Sequence, residues 1–89
     1  MEMLIHYTGL PQGMDQEEFK LAVANLLEED GWLTGSGEDE NGHYLELELE
    51  DERVNPKHCI VAVRGYLCGA GFPRDTALEL AGVATNIYG

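Results

Sequence analysis

Three histidines are the side chains of this sequence best suited to acid–base chemistry or metal binding. They are His6, His43 and His58, and no two of them stand at the spacing of a known ligand pair. Cys59 follows His58 directly, but neighbouring residues of a strand point to opposite faces. A zinc site needs about four converging ligands. The sequence therefore predicts that the histidines are surface or strand-end residues and that no metal is bound.

Signatures of catalysis are absent from the sequence. It contains no Gly-x-Ser-x-Gly, Walker loop, dinucleotide fingerprint or Cys-His signature. Glu46 and Glu48 would lie on one face of a strand about 7 Å apart, and paired carboxylates serve glycoside hydrolysis. A solvated strand face explains them better, because no aromatic cleft is evident beside them. We therefore expect a non-enzymatic chain without a cofactor.

Negative charge is the strongest compositional feature. The chain has 17 Asp and Glu against 5 Lys and Arg, a net charge of −12, and residues 21–52 contain no Lys or Arg. Such a field repels nucleic acid phosphates and anionic lipid and attracts basic surfaces. The simplest explanation is solubility; the functional alternative is a docking surface for a basic partner.

Length and composition indicate one globular domain. The 89 residues, 44% of them hydrophobic, are predicted to form a single domain over residues 1–89. No apolar run approaches the ~20 residues that span a bilayer, and the first residues do not resemble a signal peptide. We therefore expect a cytoplasmic protein in which Cys59 and Cys68 are unpaired.

The first helix has the clearest local signals. After a strand at residues 3–8 and a turn, Asp15 is the expected N-cap, with Glu18 three residues on. An apolar stripe follows at helical spacing, and Gly31 is the expected C′ residue. Trp32 would then pack back on this helix; the alternative role for a Trp beside three acids is an interface anchor.

A β-hairpin follows, marked by Asn41-Gly42 as its two-residue loop. Residues 44–50 alternate strictly, so the leucines at 45, 47 and 49 should face a core and the glutamates at 46, 48 and 50 should face water. The preceding arm contains Gly35 and Gly37, which predicts irregular or bulged pairing.

The last third of the chain admits two interpretations. Residues 58–72 fit a helix capped by Asn55 with Pro56 at its first position, or two short strands that turn at Arg64-Gly65. The glycines favour the strands. Residues after Asp75 fit a helix better than strands at 76–81 or 83–88. The favoured order is β-α-β-β-β-β-α, an α+β two-layer sandwich with two helices on one face of an antiparallel sheet; the alternative is a ferredoxin-like β-α-β-β-α-β.

Several short motifs support the favoured order. They are Asn55-Pro56-Lys57-His58, Val61-x-Val63 with Gly65, Gly69-Ala70-Gly71, and Ala77 with Ala81. On these motifs, residues 44–88 resemble the double-stranded RNA-binding domain, which implies a strand hairpin followed by a helix. That family grips phosphates through lysines at the start of its helix, whereas residues 73–78 carry one positive and one negative charge. The resemblance therefore implies a protein-binding relative that makes no direct contact with nucleic acid.

The function expected from the sequence is protein interaction through an acidic surface. Its partner would be a basic protein surface, such as the nucleic-acid site of another protein, so that the chain acts as an inhibitor, immunity protein or nucleic acid mimic. The alternatives are a small-molecule or metal-sensing domain, or a homo-oligomeric assembly domain, and a homodimer stays open. The expected contact residues are Glu28, Glu29, Asp30, Trp32, Glu38, Asp39, Glu40, Glu46, Glu48 and Glu50.

Overall fold

Five strands and two helices make up the fold in a computed structural model, which describes residues 1–40, 42–50, 56–80 and 82–88. Along the chain they are β1 (Glu2–Tyr7), α1 (Gln16–Leu27), β2 (Gly31–Asp39), β3 (Gly42–Leu49), α2 (Pro56–Ala70), β4 (Ala77–Leu80) and β5 (Val83–Asn86). The predicted class, an α+β sandwich of an antiparallel sheet and two helices, is confirmed.

The sheet has the strand order β2-β3-β1-β4-β5, and every neighbouring pair is antiparallel. Its first six elements follow the ferredoxin-like alternative, in which β3 is inserted between β1 and β2. Strand β5 extends the sheet beyond β4 as a fifth, outermost strand. Within the described residues, β2 and β5 are therefore the two edges of the sheet.

The favoured element order was wrong in the last third of the chain. Residues 56–70 form one helix, and the segment expected to be a helix forms β4 and β5. Gly65 and Gly69 are exposed on α2, where each costs about 1 kcal/mol. Burial of Val63 and Leu67 on its inner side, at about 1.5–3 kcal/mol each, outweighs that cost. The order implied by the RNA-binding-domain motifs is thus not found in this segment.

Beyond β4, Gly82 explains why strands replace the expected helix. Its φ of 84° is a left-handed conformation that glycine adopts without cost. Leu80 pairs with Val83 across the connection, which leaves two residues to make the turn. A two-residue hairpin needs residues with positive φ, so Gly82 closes β4 onto β5.

The core lies between the helices and one face of the sheet. The leucines of β3 at positions 45, 47 and 49 are buried, as predicted, together with Met3, Ile5 and Tyr7 of β1. The glutamates of β3 lie on the opposite face and are half-buried. From the helices, the buried set is Phe19, Val23 and Leu27 of α1 and Cys59, Val63 and Leu67 of α2. All belong to one cluster, so both helices cover the same face.

Helix α1 begins as predicted and ends earlier. The carboxylate of Asp15 accepts a hydrogen bond from the backbone N–H of Glu18 at 2.8 Å. The helix ends at Leu27, and Glu28 follows with φ 53° and ψ −116°. The expectation that Gly31 terminates the helix was wrong, because Gly31 is already the first residue of β2.

The β2–β3 hairpin is irregular, as its glycines predicted. The register shifts between Leu33 and Gly35. The expected Asn41-Gly42 loop was wrong, since Gly42 pairs with Asp39 within the ladder and has φ 141°. A β-carbon on Gly42 would lie 2.7 Å from the backbone oxygen of Tyr7, so glycine is required there. Asn41, Asn55 and Ala81, which also entered the sequence interpretation, lie outside the described residues.

Both cysteines are free and lie on α2, Cys59 buried and Cys68 half-buried. They are nine positions apart in the helix, which is about 13 Å along the axis and too far for a disulfide. This separation, rather than the hairpin geometry expected for the segment, keeps the two sulfurs apart.

Substitution of Glu28 by Gly should stabilise the protein. A side chain at positive φ costs about 1 kcal/mol or more, and glycine removes that strain. We expect the free energy of unfolding to rise by about 0.5–1 kcal/mol, and Tm by about 2–8 °C, in thermal unfolding followed by circular dichroism. Glu29→Gly is the control, because it removes the same charge where φ is negative. An equal gain from both variants would show that charge, not the backbone, is responsible.

Candidate functional site

The face of the sheet opposite the helices is uncovered, and we call it the open face. Register and alternation assign to it every second residue of each strand. These side chains are exposed or half-buried, whereas the alternating residues of β1 and β3 between them, Met3, Ile5, Leu45 and Leu47, are buried. The main members are Glu2, Leu4, His6, Trp32, Tyr44, Glu46, Glu48, Ala77 and Glu79.

Trp32 stands on the open face at the start of β2 and is 51% exposed. It pairs across the strands with Glu48, which also lies opposite Glu2. The expectation that Trp32 packs on α1 was wrong. Because α1 ends at Leu27, the alternation of β2 begins at the buried Gly31, and the next residue points away from the core. A β-carbon on Gly31 would lie 2.8 Å from the backbone oxygen of Glu48, so no side chain fits there.

The glycines of β2 make room for side chains of β3. A β-carbon on Gly35 would lie 3.1 Å from Oε2 of Glu46, and one on Gly37 would lie 2.6 Å from the hydroxyl oxygen of Tyr44. Both side chains therefore lie flat across the outer strand instead of extending into water. This explains why Glu46 is half-buried and extends the open face to the edge of the sheet.

His6 and Glu79 form a polar pair across β1 and β4. Nε2 of His6 lies 3.2 Å from Oε1 of Glu79. Sequence reasoning did not assign these two residues, or Glu2 and Tyr44, to the candidate surface. The available signal was that the even-numbered residues of β1 and β3 alternate with buried ones and so share a face. The pairing of β1 with β3 and β4 is long-range, however, and became known only from the structure.

The ten expected contact residues fall into two regions. At one end of β2 lie Glu28, Glu29, Asp30 and Trp32, joined by Glu50, whose N–H donates to the carbonyl of Asp30 at 2.7 Å. Glu46 and Glu48 continue this region onto the open face.

The second region is the tip of the β2–β3 hairpin, with Glu38, Asp39 and Glu40. Six strand residues, about 20 Å, separate Glu38 from Trp32. The carboxylate of Glu38 lies 3.6 Å from Nδ1 of His43. The acidic run of the sequence is therefore divided between two ends of one edge strand.

Cations are absent from the sheet and concentrated elsewhere. None of the five strands in the described part of the chain contains Lys or Arg. The described cationic side chains lie on α1 (Lys20), on α2 (Lys57 and Arg64) and in the loop after it (Arg74). The amino group of Met1 lies 3.0 Å from Oε1 of Glu48. The open face therefore carries a local excess of carboxylates.

Reactive groups do not converge on this face. Among residues 1–40, 42–50, 56–80 and 82–88, no group of three or more His, Cys, Asp or Glu is placed to hold a metal ion. Burial raises the pKa of the Cys59 thiol, and the nearby Asp30 carboxylate raises it further. The thiol is therefore protonated at neutral pH and is a poor nucleophile. Burial likewise raises the pKa of Tyr7, partly opposed by its hydrogen bond from Gln16.

Clefts lined by described residues lie away from the open face. One of about 650 Å³ is open and is lined by Phe72, Arg74, Asn86 and Tyr88. A second, about 340 Å³, lies beside the hairpin tip and includes Lys20, Glu38 and His43. The third, about 130 Å³, lies between α2 and the β4–β5 hairpin. Trp32, Glu46 and Glu48 line none of these three clefts.

Comparison with known proteins gives no match to any protein-family model, curated protein or solved structure. In the described part of the chain, neither helix combines the length and apolar character needed to cross a bilayer. The geometry and charge of the described residues are therefore the basis for the functional argument.

Fluorescence quenching of Trp32, the sole tryptophan, tests the charge around it. A surface potential of one kT raises the local concentration of a cation about 2.7-fold and lowers that of an anion equally. We expect caesium to quench Trp32 more than iodide does, by about threefold or more after correction with N-acetyltryptophanamide. Glu48→Gln should reduce this preference, and high salt should remove it. A preference for iodide would show that the surroundings of Trp32 are not acidic.

Proposed function

We propose that this chain is a non-enzymatic interaction domain whose open face docks on a basic site of a partner protein. The observation that carries the proposal is the environment of Trp32, which is 51% exposed on the open face and paired across the strands with Glu48. A large exposed aromatic residue within an uncovered acidic surface is the composition expected of an interface anchor and its surroundings.

Trp32 and the acidic side chains would have different roles in binding. The indole offers a π-face to a guanidinium or ammonium group, an interaction of about 0.5–2 kcal/mol that grows as water is excluded. Glu46 and Glu48 would accept hydrogen bonds from Arg, which binds carboxylates through two parallel N–H groups. Glu28, Glu29 and Asp30 lie between α1 and the start of β2, at the rim of the open face, where charge acts mainly on the rate of encounter.

The partner class follows from the sign of the charge. A chain with net charge −12 repels nucleic acid and anionic membrane surfaces. The same carboxylates imitate the charge of a phosphate backbone, so a partner that itself binds nucleic acid fits the surface well. Binding would then compete with nucleic acid for that site, as in an inhibitor or nucleic acid mimic.

Removal of the anchor should weaken binding without unfolding the chain. Partners are captured at low salt from a lysate of the source organism, identified by mass spectrometry and purified for kinetic measurement. Trp32→Ala should raise Kd about 30-fold, mainly through faster dissociation, because interface anchors contribute about 2 kcal/mol or more. Its thermal unfolding should change little, since Trp32 is half exposed. A Kd equal to that of the wild type would contradict a contact centred on Trp32.

Paired charge variants separate a specific surface from net charge. Glu46→Gln with Glu48→Gln should weaken binding about tenfold, mostly through faster dissociation, because the charge-assisted hydrogen bonds to Arg are lost. Glu17→Gln with Glu18→Gln makes the same change in net charge on the first turn of α1 and should leave Kd unaltered. Equal losses from both pairs would show that only total charge matters.

A third variant tests the end of α1. Neutralising Glu28, Glu29 and Asp30 to Gln, Gln and Asn should slow association and reduce its salt dependence while the fold persists. It should also stabilise the fold slightly, because acids at a helix C-terminus oppose the dipole by about 0.3–1 kcal/mol each. Association as fast as that of the wild type at low salt would assign these three acids to solubility alone.

A further inference from the structure

The two edges of the sheet differ in how they are protected against pairing. Strand β2 has a register shift between Leu33 and Gly35 and ends in Glu38 and Asp39. Bulges and charges are the devices by which natural sheets block edge-to-edge association. All four residues of strand β5, Val83–Asn86, are exposed; the strand pairs with β4 in unbroken register and has no charged residue or proline. Among the described residues, β5 therefore shows none of these devices except its shortness.

The outward-facing backbone groups of β5 follow from its pairing with β4. The N–H of Ile87 donates to the carbonyl of Thr76 at 3.1 Å, one position beyond the Ala77–Asn86 pair. Antiparallel pairs alternate between bonded and non-bonded, so Thr85 and Val83 bond inward to β4. The N–H and C=O groups of Ala84 and Asn86 therefore point to the free side of the sheet.

We propose that β5 pairs antiparallel with β5 of a second copy of this chain, about a two-fold axis at Thr85. Ala84 then lies opposite Asn86 of the second copy, and each such pair exchanges two N–H···O bonds, so that symmetry gives four. Between these two pairs, Thr85 lies opposite Thr85 of the second copy in a non-bonded position. Thr–Thr is a favourable cross-strand pair. The two five-stranded sheets become one sheet of ten strands.

Charge favours this edge for self-association. Two chains of net charge −12 repel each other unless their acids are far apart. Four strand spacings, about 19 Å, separate β5 from β2, and nine spacings, about 43 Å, would separate the two β2 strands of the dimer. Both distances exceed the Debye length of about 8 Å at physiological salt. The same antiparallel pairing through the middle of β2 would bring Glu38 and Asp39 of one copy next to the acids that precede β2 in the other, Glu28–Asp30.

The surroundings of β5 are close to neutral and partly apolar. Nε of Arg64 donates to the carbonyl of Ile87 at 2.8 Å, which holds α2 beside this edge. Glu79 pairs with Ala84 across β4 and β5, so this edge carries charges of both signs. Val83 is 67% exposed at the start of β5, and Val61, one turn before Arg64 on α2, is 70% exposed. Val83 therefore adds exposed apolar surface to the strand itself.

Proline substitution tests which edge is used. Ala84→Pro removes an outward N–H and leaves the inward bonds intact, a setting in which a strand tolerates proline. Sedimentation equilibrium over a range of concentrations should show the wild type reaching twice its 9.8 kDa monomer mass. Ala84→Pro should weaken the dimer at least about tenfold, with its circular dichroism spectrum unchanged. A wild type that stays monomeric throughout would overturn the proposal.

Ser36→Pro is the matched control on the other edge. The N–H of Leu49 donates to the carbonyl of Met1, so odd residues of β3 bond β1 and even residues bond β2. Ser36 is opposite Leu45, and its own N–H therefore points outward from β2. Ser36→Pro should leave the dimer intact. Dissociation by Ser36→Pro and not by Ala84→Pro would assign the contact to β2 and refute the proposal.

Cysteine cross-linking tests the register without relying on proline. Residues facing each other in a non-bonded pair have Cα atoms about 4.5 Å apart, within the range of a disulfide. Thr85→Cys should form a covalent dimer on mild oxidation, with the wild type as the blank for Cys59 and Cys68. In Val83→Cys, the new thiols of the two copies would be offset by four strand positions, about 13 Å, and should not form a disulfide. Equal cross-linking of both variants would overturn the stated pairing.

Discussion

Strict alternation of Leu and Glu along β3 is the constraint on which the rest of the structure depends. This strand bonds β1 on one side and β2 on the other, so its register decides which face of both neighbours is buried. A slip of one residue would exchange Leu45, Leu47 and Leu49 for three glutamates in the core. Burial of the leucines therefore determines which residues of each of the remaining strands point toward the core.

That constraint also produces the candidate site. When the helices cover the leucine face, the glutamate face is left without a covering layer, and Trp32 falls on it because Gly31 takes the inward position. The acidic open face is thus a consequence of the same alternation that forms the core. Along β3, a side chain that is buried in the core therefore alternates with one that is available for binding.

Distribution of charge gives the molecule two different edges. Acidic residues gather around β2 and its hairpin, while Arg64 and Arg74 lie near the β4–β5 side. The docking surface that we propose at one edge and the pairing strand that we propose at the other would act without interfering with each other. A dimer joined at β5 would present two docking surfaces, one toward each end of a continuous sheet.

Local sequence determined the elements whose signals are short-range. The Asp15 cap, the apolar stripe of α1 and the alternation of β3 each follow from residues within one or two turns or a few strand positions, and all three were predicted. The two-layer α+β class followed from them. Acidity of the surface was also predictable, because charge counts need no knowledge of folding.

Tertiary structure alone decided the last third of the chain and the grouping of the site. Residues 56–70 are helical despite Gly65 and Gly69, because burial against the sheet stabilises the helix by more than the two glycines destabilise it. The local sequence carries no information about that burial. Strand pairing across the whole chain placed Glu79 beside His6 and Glu2 beside Glu48. It also separated Glu38–Glu40 from Glu28–Asp30, because the extended strand β2 lies between the two groups. In the sequence they belong to one continuous acidic run.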